Sequence, residues 1–247
     1  MSKALWSVLG GMLSGALTPG GEERGSVESR EVEVEAARYT YQLHTPEKID
    51  DSPPLIIFLH GIGQRGAGGF LPTTGPAGAV ARHYLGQLPA VVLLPQCRAG
   101  SYWSDAVMDE MVMKALGQAL EETGADRRRV YLTGVSMGGY GVWHFASRHP
   151  GQFAALVSVC GGSPLRAGDR FAPIAEKVGA TPAWVFHGAD DRVVPVSESR
   201  QMVAALKAAG AGDAVRYSEY EGVGHNVWMQ VLGERALLPW LLRQRRA

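Results

Sequence analysis

Apolar and polar positions alternate at Val32 and Val34 and again at Tyr39, Tyr41 and Leu43, a period of two that predicts two edge strands joined through Ala36 and Ala37. Short apolar runs bounded by turn residues follow. They predict strands over 54–60, 89–95, 129–135, 154–160, 182–188 and 214–220. The spacing becomes helical over 76–87, 105–124, 137–148, 195–209 and 227–245. Strands that alternate with helices predict an α/β fold, a mostly parallel central sheet with helices on both faces. About twenty residues separate the strand ending near Cys160 from the one starting at Pro182, too few for a large cap domain and consistent with an open site.

At the N-terminus, Leu5, Leu9, Met12 or Leu13, and Ala16 or Leu17 recur at helical spacing behind one lysine, and Pro19-Gly-Gly closes the stretch. It reads as an amphipathic helix packing on the body or as an export signal, although the basic region is brief and no small-residue cleavage site is clear. It is too short for the roughly twenty apolar residues of a membrane span. A Gly/Glu/Ser-rich connector over 20–29 follows, so the expected division is 1–29, helix and connector, and 30–247, one α/β domain.

A chain of 247 residues, 46% hydrophobic, is long enough for one large core. Its formal net charge is zero, and the basic clusters Arg127-Arg-Arg129 and Arg243-Gln-Arg-Arg246 flank predicted element ends, so they read as solvated faces and not as a nucleic-acid surface. Cys97 and Cys160 each follow a predicted strand, with no CxxC or zinc-ligand spacing. A disulfide and a pair of reduced thiols both fit, the latter with a cytoplasmic location. With no HExxH or Walker motif, neither metal nor cofactor is expected.

The chemistry gathers at Leu132-Thr-Gly-Val-Ser-Met-Gly-Gly139, where a strand-like run turns on glycines into a helix-like one. That context exposes the Ser136 hydroxyl at a turn, the position of an acyl-transfer nucleophile. The bare Gly134-x-Ser136-x-Gly138 pattern carries little weight among 32 glycines; its flanks carry more. A serine hydroxyl needs a base, and the base an orienting carboxylate. Downstream, Asp190 and Asp191 follow the apolar run Trp184-Val-Phe, and His225 follows Gly222-Val-Gly, each at a predicted strand end. Those ends form the edge of a parallel sheet where ligands collect.

Five segments in this order resemble the serine-esterase branch of the α/β-hydrolase superfamily: Phe58-Leu-His-Gly-Ile-Gly-Gln-Arg-Gly66, Leu94-Pro-Gln-Cys97, Gly134-Val-Ser-Met-Gly-Gly-Tyr-Gly-Val-Trp143, His187-Gly-Ala-Asp-Asp-Arg-Val-Val-Pro195 and Gly224-His225. The chain is similar to the carboxylesterase/phospholipase-like, dienelactone-hydrolase-like and so-called predicted-peptidase groups from about Pro54 to Arg245. Where the dienelactone enzymes carry a cysteine nucleophile, this chain has Ser136. The resemblance implies an α/β-hydrolase fold and a triad in the order Ser136, Asp191, His225, the acid being the carboxylate three residues before Val194, with Asp190 as its neighbour. It also implies an oxyanion hole from the backbone N–H groups of Ile62 and Met137, and structural roles for His60 and His187. His144 and His149 suit core or surface roles.

Gly61-Ile-Gly-Gln-Arg-Gly66 also spells a dinucleotide-binding GxGxxG. No helix pattern opens after it, and no Asp or Glu occurs from Ser52 to Ser104 to take a ribose hydroxyl. The same stretch carries His60, Arg65, Arg82, His83 and Arg98, which give the site mouth a positive potential or simply face solvent. Trp103 and Trp228 are candidate substrate-wall residues, or packing residues.

The expectation is a serine carboxylic ester hydrolase acting on short-chain or aromatic, feruloyl-type small-molecule esters, as a monomer or small homo-oligomer with no nucleic-acid partner. A thioesterase, lysophospholipase or peptidase with the same triad is the alternative, and a non-catalytic binding scaffold fits least.

Overall fold

A computed structural model describes residues 25–48, 50–66, 85 and 88–246. The predicted N-terminal helix, the first part of the connector and, but for Leu85, the predicted 76–87 helix lie outside these residues, as do Arg82 and His83.

Eight strands form one sheet: β1 (Ser26–Val34), β2 (Ala37–Thr45), β3 (Leu55–Leu59), β4 (Val91–Pro95), β5 (Val130–Val135), β6 (Ala155–Val159), β7 (Ala183–Gly188) and β8 (Val215–Tyr220). Their order is β1-β2-β4-β3-β5-β6-β7-β8. β1 pairs antiparallel with β2, and β2 with β4; all other pairs are parallel. The α/β class and the mostly parallel sheet expected from the chain are therefore present.

The helices are α1 (Ala106–Thr123), α2 (Met137–Arg148), α3 (Ala172–Val178), α4 (Ser197–Leu206), α5 (Trp228–Leu232) and α6 (Leu237–Leu242). Alternate strand residues serve opposite faces. Leu55, Ile57, Leu93, Leu132 and Val185 join a core with α1–α4, whereas Ile56, Val92, Tyr131, Val157 and Phe186 pack toward α5 and α6. Both faces are covered, which is why the central strands read as unbroken apolar runs. Along α1 the buried residues Met108, Met111, Val112, Ala115, Leu116, Ala119 and Leu120 step by three and one, the signature of one inward stripe. Each large side chain in it contributes about 1.5–3 kcal/mol by leaving water. Gly124, at φ 66°, ends the helix in the left-handed conformation, its N–H on the Leu120 carbonyl.

His144 and His149 take packing roles. Both Nε2 atoms meet the Asp109 carboxylate, at 2.9 and 2.8 Å, and tie α2 to α1.

Four departures from the predicted elements have physical causes. The first strand starts at Ser26, inside the expected connector, because its polar half pairs with β2 in full register. β2 is internal and not an edge strand, since β4 lies against its other side. The helix expected over 227–245 is two short ones: Pro239 has no N–H to donate and fits only in the first turn of a new helix. The unexpected helix, α3, carries start and stop signals that its brevity hid. The Asp169 carboxylate accepts the N–H groups of Phe171 and Ala172, Pro173 sits in the first turn, and Gly179 follows the end. Apart from α3, only loop separates β6 from β7, so this connection carries no cap domain.

No helix among the described residues is long and apolar enough to cross a membrane.

Candidate active site

The carboxyl edge of the parallel strands gathers Ser136, Asp191 and His225 from the loops after β5, β7 and β8. Ser136 occupies a one-residue bend between β5 and α2 at φ 55° and ψ −117°, a conformation non-glycine residues rarely hold. Its N–H on the Val159 carbonyl, 2.8 Å away, ties the bend to β6. Glycines make the bend possible by their lack of volume. A Cβ at Gly134 would lie 2.3 Å from the Gly138 carbonyl oxygen, and one at Gly138 would lie 1.9 Å from that of Leu59. Gly138→Ala therefore drives the backbones of α2 and β3 apart. It should destabilise the protein by more than about 4 kcal/mol, the range reserved for severe steric lesions, read as loss of soluble yield or a large fall in Tm. A variant melting within 2–3 °C of the parent would refute this account.

Asp191 is buried at the end of β7. Its Oδ1 accepts the N–H groups of Val193 and Val194 at 2.8 and 2.9 Å, and its Oδ2 lies 2.6 Å from His225 Nδ1. Burial pushes this carboxyl upward, but the bonds from His225 and the two backbone amides outweigh it and hold the group below its ordinary value. It is therefore ionised at neutral pH and aimed at the imidazole. Asp190, the neighbouring carboxylate, is exposed.

His225 Nε2 stands 2.8 Å from Ser136 Oγ, closing the chain from carboxylate to hydroxyl. Its loop reaches this position because β7 ends in Gly188: a Cβ there would meet the Val223 and Gly224 carbonyl oxygens at 2.3 and 2.4 Å. The Asp190 N–H donates to the Val223 carbonyl and ties the acid loop to the histidine loop.

Ile62 and Met137 are each the first residue of a helical segment, the 3₁₀ turn Ile62–Gln64 and α2. N–H groups at such positions have no partner inside their own helix. Gly61 lies beside the Ser136 Cβ, with 3.7 Å from its own would-be Cβ. His60 holds this loop: Nδ1–H donates to the Gly61 carbonyl at 2.7 Å, and Nε2 accepts the Cys97 N–H at 3.1 Å. Burial keeps that imidazole below its usual pKa, hence neutral, as the two bonds require.

Trp103 does not line a substrate wall. It is fully buried, its indole N–H on the His60 carbonyl at 2.9 Å and its ring edge-on to the His60 ring, so it buttresses the loop that carries His60 and Ile62. Trp228 is half-buried at the start of α5. The mouth arginines are engaged: Arg65 donates to the Ile62 and Ser101 carbonyls, and Arg98 donates to the Arg38 carbonyl and stacks over Tyr39 at 3.7 Å. They brace loops.

Three side chains, His187, Glu198 and Cys160, make contacts whose partners the sequence did not signal. His187, fully buried, lies 3.3 Å from Asp191 Oδ2, donates from Nε2 to the Val194 carbonyl, and accepts the Ser199 hydroxyl at Nδ1, 2.6 Å away. Glu198 takes Arg170 and the Ser163 N–H, tying the loop after β6 to α4. Cys160, the residue after β6, turns its sulfur to the His225 carbonyl at 3.7 Å. Both cysteines are buried free thiols, pushed by burial up to about 12.

Large apolar side chains are exposed in the segments that follow the strands. Ile62, Tyr102, Leu165, Val193, Met229 and Leu232 stand in the segments after β3, β4, β6, β7 and β8.

Comparison with known proteins agrees with this architecture. No curated protein sequence matches the chain. Among solved structures, a thermostable esterase is 31% identical with a TM-score of 0.72, over 90% of this chain and 64% of its own. The acylaminoacyl peptidase of Pyrococcus horikoshii, 16% identical, gives 0.73 over 90% of this chain and 42% of its own. A fluorophosphonate-binding serine hydrolase of Staphylococcus aureus, 14% identical, gives 0.67 over 90% of this chain and all of its own. The chain thus spans less than two thirds of the esterase and less than half of the peptidase, and the last two likenesses concern the fold alone. The phospholipase/carboxylesterase family model matches residues 105–235, more than half of the sequence and the part that holds Ser136, Asp191 and His225. On that match the chain belongs to the phospholipase/carboxylesterase family of α/β-hydrolases.

Proposed function

We propose that this protein is a serine carboxylic ester hydrolase that acts on short-chain or aromatic esters through an acyl-enzyme. The observation that carries the reading is the unbroken hydrogen-bond chain Asp191, His225, Ser136, at 2.6 and 2.8 Å. In this mechanism His225 Nε2 takes the Ser136 proton as Oγ attacks the ester carbonyl, and Asp191 stabilises the imidazolium. The N–H groups of Ile62 and Met137 receive the developing oxyanion, a pair in which each donor is worth about 3 kcal/mol. Protonated His225 then passes its proton to the departing alcohol, and water cleaves the acyl-enzyme by the same steps.

Exposed Ile62 and Val193, in the loops that carry Gly61 and Asp191, support an ester with uncharged, hydrophobic halves over an acidic one, because such a substrate covers exposed apolar surface. The bracing of Arg65 and Arg98 argues in the same direction. Two free thiols suit a reducing, cytoplasmic setting.

A panel of p-nitrophenyl, feruloyl, thioester, lysophospholipid and amide substrates tests the reading. Oxygen esters with short acyl or aromatic groups should give the highest kcat/KM. Preference for thioesters, lysophospholipids or amides by tenfold or more would transfer the assignment to the thioesterase, lysophospholipase or peptidase alternative.

A further inference from the structure

Cys160 has no part in the mechanism above, yet its sulfur, an Asp191 carboxylate oxygen and a ring nitrogen of His225 lie within 4.8 Å of one another. The ring nitrogen that faces Asp191 is Nδ1, 2.6 Å from Oδ2. We propose that these three side chains form an inhibitory binding site for a thiophilic divalent cation such as zinc, a site that shares two residues with the candidate triad and takes its third from the thiol beneath it.

Thiolate, imidazole and carboxylate are the zinc donor set, and three protein ligands plus one water complete a tetrahedron. In such a tetrahedron the donors stand about 3.2–3.8 Å apart. The side chains here must close by about an ångström, within reach of a small turn of the Cys160 side chain. The cation's route to the thiol lies past the imidazole, which is partly open to solvent, whereas the carboxylate is enclosed.

Binding changes the proton inventory in a defined way. The zinc–sulfur bond forms as the S–H bond breaks, and that proton leaves to buffer. The proton on His225 Nδ1 gives way to the metal and reappears on Nε2 through solvent. Nε2 then carries hydrogen toward Ser136 and has no lone pair with which to take the hydroxyl proton. One proton is released per zinc, and the metal-bound protein is silent toward esters. Because a proton is lost, zinc binds more tightly as pH rises.

The test uses the full chain without added metal and titrates zinc by calorimetry in two buffers of different ionisation enthalpy. Cobalt serves as the spectroscopic probe. The expected result is one zinc per chain, release of about one proton, and a cobalt spectrum with a near-ultraviolet thiolate charge-transfer band. Cys160→Ser and Cys160→Ala should each lose the band and weaken zinc at least about 100-fold, the upper end of what even a supporting residue costs a metal site, with metal-free turnover retained. Ser136→Ala should bind zinc as tightly as the parent. No stoichiometric binding up to millimolar zinc, or unchanged affinity in both cysteine variants, would overturn the proposal. The titration and the cobalt band do not depend on turnover, so the metal site stands or falls separately from the esterase reading.

Discussion

Ser136→Ala is expected to lower kcat toward p-nitrophenyl esters by about 10⁵- to 10⁶-fold, the loss seen when a nucleophile is removed from a triad that works as a unit. Alanine tolerates the φ of 55° no better and no worse than serine, so the fold and Tm should stay near the parent's and the loss is chemical. The covalent counterpart is labelling by a fluorophosphonate, which the parent accepts and the variant does not. Parent-like turnover or labelling in Ser136→Ala would remove Ser136 from the mechanism. Ser136→Gly makes a useful companion: it should be equally inactive and somewhat more stable, because glycine relieves a bend that costs serine about 1–3 kcal/mol.

Asp191→Asn is expected to cost about 10⁴-fold in kcat, and the geometry says why. Asp191 Oδ1 accepts two backbone N–H groups, from Val193 and Val194. An asparagine keeps those two bonds only by placing its carbonyl oxygen there, which turns its NH₂ toward His225 Nδ1. The imidazole must then accept at Nδ1 and carry its proton on Nε2, the wrong tautomer for a base toward Ser136, a defect known to cost about that factor in another triad hydrolase. Asp190→Asn, at the exposed neighbour, should stay within threefold of the parent. Kinetics of the two variants decide between the carboxylates; equal losses at both would refute the assignment. The carboxylate also contributes to stability. Its folded-state pKa lies below its unfolded one, so the contribution is present above the unfolded pKa, about 3.9, and disappears as pH falls through the folded value. In the asparagine variant that acid-side loss is absent.

The parts of the fold legible in the sequence were those with a local cause. The elbow at Ser136 announces itself through Gly134, whose missing Cβ leaves room for the nearby Gly138 carbonyl, whereas Gly138 itself is needed against the distant backbone of Leu59. The central strands announce themselves because both faces are apolar. What stayed hidden depends on partners distant along the chain. Trp103 read equally as a wall residue or a packing residue, and only its contact with the His60 loop shows why it is buried. Nothing near Ser199 marks it as a partner of His187, and nothing near Cys160 marks it as a neighbour of His225, since those contacts span 12 and 65 positions. The break at Gly233–Ala236 was legible in hindsight from Pro239, outvoted by apolar residues at helical spacing on both sides.

β8 closes the sheet at the end opposite β1, hydrogen-bonded on one flank only, to β7. The proposed base hangs from this outermost strand, whereas Ser136 follows β5, near the middle, with strands on both sides. Fraying is easiest at a margin. If β8 lifts away, Ser136 stays in its strained bend and loses only its proposed proton acceptor, so chemical competence and structural integrity part company at that border. An edge strand thus carries an exacting positional demand.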